Sequence, residues 1–136
     1  VARHRLATEL LQLDRVEEAR RYFEEAVHRE PDNPDLLNNV AWILATHPND
    51  RFRDGRLALR WADRACQLTR YSHAPYLDTL AAACAEVGRF TDARRIAAQA
   101  LALAEQASDS ATADAVRRKL LLFQQDQPYR ESGSSR

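Results

Sequence analysis

Leu80-Ala-Ala-Ala-Cys84-Ala-Glu-Val-Gly88-Arg-Phe90-Thr-Asp-Ala93-Arg-Arg-Ile-Ala97-Ala-Gln-Ala100-Leu-Ala-Leu103 is the stretch that decides how this chain folds. Its apolar positions recur at the helical period on either side of Gly88 and Arg89, which predicts two short amphipathic helices meeting at a turn. The small residues Ala81, Ala93, Ala97 and Ala100 let the two helix backbones approach closely. Outward from this stretch the same spacing returns. An alanine, a packing residue four positions on and an alanine three further occur as Ala19-Phe23-Ala26, Ala58-Ala62-Ala65 and Ala93-Ala97-Ala100. A second anchor precedes each one: Leu6-Ala7, Val40-Ala41 and Leu80-Ala81. The anchors keep their order, 39 and then 35 residues apart at the leading alanine, so the chain is built of repeats.

Each unit reads as helix, turn, helix. In the first, Leu6, Leu10 and Leu13 share one face, and Asp14 with Glu17 forms a capping box that opens a second helix. That helix turns Val16, Ala19, Phe23, Ala26 and Val27 inward and stops at Pro31, which lacks the amide a helix needs. Asn33 then caps the next helix and Pro34 suits its first position. The second unit packs Leu37, Val40, Ala41 and Leu44, and is interrupted by His47-Pro-Asn-Asp-Arg-Phe-Arg-Asp54. Pro48 forbids a continuing helix, Asp54 caps the one that follows, and the inserted loop explains the longer first interval. In that helix Trp61 supplies volume where Ala62 replaces the phenylalanine of the first unit. The third unit starts near Ser72 or His73, with Pro75 in its first turn. A last helix over about 109–125 turns Ala115, Val116, Leu120 and Phe123 to one side, and Arg117, Arg118 and Lys119 mostly to the other. Having no further partner helix, it caps the open end of the stack. Residues 126–136 read as a polar, disordered tail.

Composition sets the outer limits. The chain has 136 residues, 45% of them hydrophobic and 29% charged, which suits one short repeat array. With 20 basic and 20 acidic side chains no net field draws it to nucleic acid or to an anionic membrane. No run of 18 apolar residues occurs, so this segment inserts into no bilayer as a helix. The absence of any methionine, at the first position or elsewhere, suggests a piece of a larger protein. Cys66 and Cys84 have no metal-type or redox-type spacing and read as small core residues. They leave the compartment open, with the cytoplasm slightly favoured.

The helix–turn–helix unit carried by Leu6-Ala7 with Ala19, Phe23, Ala26 and Pro31, and again by Leu80-Ala81 with Gly88, Phe90, Ala93 and Ala100, resembles the tetratricopeptide repeat. The middle unit is similar but departs through residues 47–54. Asn38 to Glu131 further resembles repeat regions appended to large multi-domain bacterial proteins. The resemblance implies an all-α, right-handed α-solenoid: three hairpins over about 1–33, 34–72 and 73–106, with the final helix as cap, in one domain over 1–125. It also implies that the first helix of each pair lines a concave groove.

On those helices the groove face falls to His4, Thr8, Gln12, Asp35, Asn38, Asn39, Trp42, Thr46, Asp78 and Glu86. Trp42 is the sharpest of them, either an exposed anchor for a partner or a side chain packed on a neighbouring helix or under the 47–54 loop. Members of the resembled family that grip a carboxylate terminus use basic and Asn side chains; Asn39 fits, but His4, Thr8, Pro75 and Thr79 do not. Arg51, Arg53, Arg56, Arg60 and Arg64 form a basic run that reads as a solvated helix face more readily than as a dock for an acidic partner. Phe52 in the loop is a plug over Trp61 or an exposed contact. The four histidines share no ligand spacing, and three glycines make no phosphate loop. The expectation is therefore a non-catalytic module without cofactor or metal, binding a protein or peptide in its groove. The alternative is self-association, or a spacer role, through an uncapped N-terminal helix that pairs as a homodimer.

Overall fold

The computed structural model describes residues 9, 12, 13 and 15–131, and among these every regular element is a helix. We number them α1 (Val16–Arg29), α2 (Pro34–Thr46), α3 (Gly55–Leu68), α4 (Ala74–Glu86), α5 (Phe90–Gln106) and α6 (Ser110–Gln124). Consecutive helices pack on one another, and α2 also packs on α4 and α4 on α6. That neighbour pattern is a solenoid: α2/α3 and α4/α5 are two complete hairpins, α1 stands before them and α6 closes the end. The first helix of the first unit, with Leu6, Ala7 and Leu10, lies outside the described residues. Leu13, expected on its packing face, is exposed.

Local chemistry sets the boundaries. Asn33 Oδ1 accepts from the Leu36 amide at 3.2 Å, Asp54 Oδ1 from Leu57 at 3.1 Å and Asp109 Oδ1 from Thr112 at 3.1 Å, satisfying amides that helix starts leave open. The capping box expected at Asp14 falls outside the described residues; α1 has Arg15 at its N-cap, which makes no side-chain cap. At the other end of α4 the Arg89 amide donates to the Cys84 carbonyl at 2.9 Å, with Gly88 at φ 83°. This closure needs a left-handed residue, and glycine takes that conformation without a Cβ penalty. After α3, α5 and α6 the equivalent bonds run from Tyr71, Asp109 and Gln127, around Arg70, Ser108 and Asp126 at φ 56–58°.

The alanine spacing produces the close packing it predicts. Ala19, Ala58, Ala62, Ala65, Ala81, Ala93, Ala97 and Ala100 are all fully buried, within one continuous core that runs from Val16 to Phe123. Trp61 and Leu57 pack partly buried against that core. Phe52 is completely buried, but its partner is not Trp61. Its ring meets Phe23 edge-on at 5.9 Å and His47 at 5.5 Å, and Arg20 lies over it at 5.5 Å. The inserted loop therefore plugs the seam between α1 and the α2/α3 hairpin. Arg20 ties it down through Asp54 Oδ2 at 3.0 Å and the Phe52 carbonyl at 2.9 Å.

Where the sequence suggests a disordered tail, residues 126–131 are held against the helices. Arg94 donates to the Phe123 carbonyl and to Asp126 Oδ1, both at 3.0 Å, which fixes the turn after α6. The chain then returns without regular structure to α2, where the Glu131 amide donates to the Thr46 carbonyl at 2.7 Å. The reason is that this polar stretch holds one aromatic and one basic side chain, and each finds a long-range partner described below.

Candidate partner-binding groove

The first helices of the stacked units, α2 and α4, together with α6, line an open groove of about 530 Å³. Its walls are Asn38, Asn39, Trp42 and Ile43 from α2, Pro75, Asp78 and Thr79 from α4, and Lys119 from α6. Asn38 and Trp42 are four residues apart on α2, so helical spacing puts both on the same face as Asn39. Pro75, Asp78 and Thr79 form the corresponding row on α4. The helix starts at His73 and Ala74, so Pro75 sits in the first turn, where its missing amide breaks no helical bond.

The electrostatic centre of the groove is Lys119. Its Nζ lies 3.1 Å from Asp78 Oδ2 and 3.3 Å from the Ala115 carbonyl. The same ammonium lies 5.3 Å from the centroid of Trp42 and 5.1 Å from that of Tyr129, within reach of both ring faces. Lys119 and Asp78 are nearly enclosed, with side-chain exposures of 7% and 14%. Burial raises the Asp78 carboxyl above its ordinary value, and the neighbouring ammonium offsets only part of that rise. Asp78 Oδ1 and Asn38 Oδ1 are buried and have no hydrogen-bond donor among the described residues. The groove thus pairs an aromatic wall with a compensated charge and two buried acceptors left without donors among the described residues.

The expected groove residues divide as follows. Asn38, Asn39, Trp42 and Asp78 come together in the groove. Thr46 does not offer its side chain: the residue is fully buried and its hydroxyl donates to the Trp42 carbonyl at 2.7 Å, back-bonding within the helix. Only the Thr46 carbonyl is turned to the returning tail. Asp35 stands at the α2 N-terminus and accepts from the Tyr76 hydroxyl; burial, with this bond second, pushes the phenol up to about 12. Glu86, at the far end of α4, is clasped between Arg53 at 3.2 Å and Arg130, whose Nε and Nη2 reach its two oxygens at 3.2 Å each. Gln12 is exposed. His4 and Thr8 lie outside the described residues.

Two participants run against the sequence reading. Lys119, assigned there to the outer side of its helix, is buried and points inward, so the groove does contain a cation. Its position three residues after Val116 and four before Phe123 was the available signal. Tyr129 is the other. Its ring lies 5.7 Å from that of Trp42, tilted by 34°, and no local pattern announces the pairing. Trp42 is therefore partly buried, facing the groove and partly covered by the tail.

Residues 1–43 match the family model of the tetratricopeptide repeat. Over that span the chain is similar to a tetratricopeptide repeat. The matched span covers the first unit and most of α2, including Trp42; beyond it the chain continues as the helical hairpins described above. No curated protein matches the chain. Tetratricopeptide repeats are an interaction fold, not a catalytic one, and protein partners are what such repeats take. Burial pushes the Cys66 thiol up to about 12 and that of Cys84 to about 11, away from the thiolate a nucleophile requires. Among the described residues no cluster of three histidine, cysteine or acidic side chains has a metal-holding arrangement. No helix among them is long and apolar enough to cross a membrane.

Proposed function

We propose that this chain is a non-catalytic protein-interaction module that takes an extended peptide, or an extended segment of a partner protein, in the groove between α2, α4 and α6. The observation that supports the reading most is the groove itself: about 530 Å³, open to solvent, with Trp42 as its aromatic wall. A rigid helical wall presents these side chains with little ordering cost on binding, and a tryptophan in a concavity is the residue type that most often anchors a partner. Asn38 and Asn39 carry amides that can hydrogen-bond a peptide backbone, whose sequence-independent donors and acceptors recur along any extended segment. Asp35, Thr46 and Glu86 bound the groove rather than fill it. His4, Thr8 and Gln12 belong to the proposed continuation of the same face toward the N-terminus.

The test is selection from a random peptide library on the full chain, followed by counter-screening. Peptides retained by the parent should lose at least tenfold in affinity on Trp42→Ala and keep it on Arg60→Ala, whose side chain lies on the outer helix α3. A set of peptides indifferent to Trp42→Ala and sensitive to Arg60→Ala would move the site to the other face.

A further inference from the structure

Something already lies in part of this groove: the chain's own residues 129–131. The Tyr129 ring stands against Trp42 and beneath the Lys119 ammonium. The Arg130 guanidinium makes two bonds to Glu86, the last residue of α4, where the negative end of the helix dipole also favours a cation. The Glu131 amide satisfies the Thr46 carbonyl at the end of α2, one of the acceptors a helix C-terminus leaves open. An aromatic ring, a guanidinium and a backbone amide, from three successive residues, each meet a complementary group on two different repeats. That is how a groove reads an extended peptide.

We propose that residues 129–131 are a built-in occupant of the groove, and that its external ligand is an extended segment carrying an aromatic residue followed directly by arginine, which displaces the tail. The proposal rests on the groove reading above and names the chemistry of its partner. Charge complementarity supports it: the acceptors in and around the groove are Asp78, Glu86, the Asn38 amide oxygen and the Thr46 carbonyl, while Lys119, the lining cation among the described residues, is already engaged by Asp78. Arg118 is also near Tyr129, but it is exposed to solvent and is not a lining residue of the groove. Asn38 Oδ1 and Asp78 Oδ1 lack donors with the tail in place, so the tail leaves part of the groove's hydrogen-bonding capacity unused. Because the tail is tethered through the Arg94-fixed turn, its effective concentration is high, and an external ligand sees only the fraction of grooves that are open.

The test uses a fluorescent hexapeptide with the tail's own sequence, Gln-Pro-Tyr-Arg-Glu-Ser, titrated against the full chain and against a full chain carrying Tyr129→Ala and Arg130→Ala. Polarisation should show the double variant binding the probe at least tenfold more tightly than the parent. Probe peptides with Tyr→Ala or Arg→Glu should lose that binding, and so should the Trp42→Ala chain. Equal affinity for parent and double variant, no binding to either, or undiminished binding of the Arg→Glu probe would each overturn the proposal. So would a double variant whose Tm falls by more than about 10 °C, because the tail would then be part of the fold and not an occupant. Library peptides that need Trp42 but carry no aromatic–arginine pair would leave the groove reading standing and remove this one.

Discussion

The inner and outer faces of the stack handle charge in opposite ways. Inside, Asp78 is paired with Lys119 and Glu86 with Arg53 and Arg130, partners 33 to 44 residues apart in sequence, on side chains whose exposure is mostly below 15%. Outside, many of the pairs join residues three apart on one helix, as in Arg15–Glu18, Arg95–Asp92 and Arg117–Asp114, on side chains that are mostly a third or more exposed. A solvated local pair contributes a few tenths of a kcal/mol, since both ions keep their water and the helix already sets their distance. A desolvated pair between repeats is different. Neither ion has water to fall back on, so each fixes the position of the other, and with it the register of the two helices. Charge on the inside specifies geometry; charge on the outside keeps the surface wet.

The comparison breaks most sharply at Lys119. Lys119→Met leaves the Asp78 carboxylate buried and uncompensated, and chemical denaturation at neutral pH should show a loss of about 2–4 kcal/mol. Adding Asp78→Leu should return stability to within about 1 kcal/mol of the parent, because the charge that needed a partner is gone. The pH dependence has a definite sign. Asp78 is raised in the folded state, so its contribution is most favourable below the ordinary carboxylate range and is lost as pH rises through the folded value. Without the ammonium that value rises further, so the deficit of Lys119→Met should shrink as the pH is lowered toward the carboxylate range. A deficit that stays constant with pH would show that Lys119 acts through packing of its aliphatic stem rather than through its charge.

A smaller effect is expected at the aromatic pair. Trp42→Ala and Tyr129→Ala each remove one half of a contact 5.7 Å between ring centres, and a double-mutant cycle should return a coupling of about 0.5–1.5 kcal/mol. Zero coupling would mean that the tail contributes nothing to the inner face, and that this face resembles the outer one more than the geometry suggests.

How much of this was legible depended on how locally it is written. Asn33, Asp54, Gly88 and the alanine triplets act within one turn or one hairpin, and their spacing carries the whole message. The groove-facing row of α2 is legible for the same reason, through Asn38, Asn39 and Trp42. Thr46 shares that row, but a hydroxyl can bond back to its own helix, and this one is buried doing so. Lys119 misled because polarity suggests the outside, while its spacing from Val116 and Phe123 puts it on the packing side, where Asp78 of another repeat receives it. The tail was the least legible part. Tyr129 and Arg130 sit in a stretch with no periodicity, and their partners, Trp42 and Glu86, are brought to them only once the repeats have stacked.

The smallest effect belongs to the outer face. Arg64 reaches Asp32 across a connection, with side-chain exposures of 46% and 68%. Arg64→Ala should shift stability by no more than about 0.5 kcal/mol, and that shift should fade in 0.5 M salt as screening removes what little attraction remains. The informative contrast is with Arg53, which also bridges a loop to a helix but is only 10% exposed and donates to the His47 carbonyl at 2.7 Å as well as to Glu86. Arg53→Ala removes a bond that closes α2 and a partner of a nearly buried carboxylate, so its cost should be several times larger and insensitive to salt. Equal losses for Arg53→Ala and Arg64→Ala, with equal salt dependence, would mean that enclosure does not separate the two faces and that charge on the inside of the stack specifies nothing.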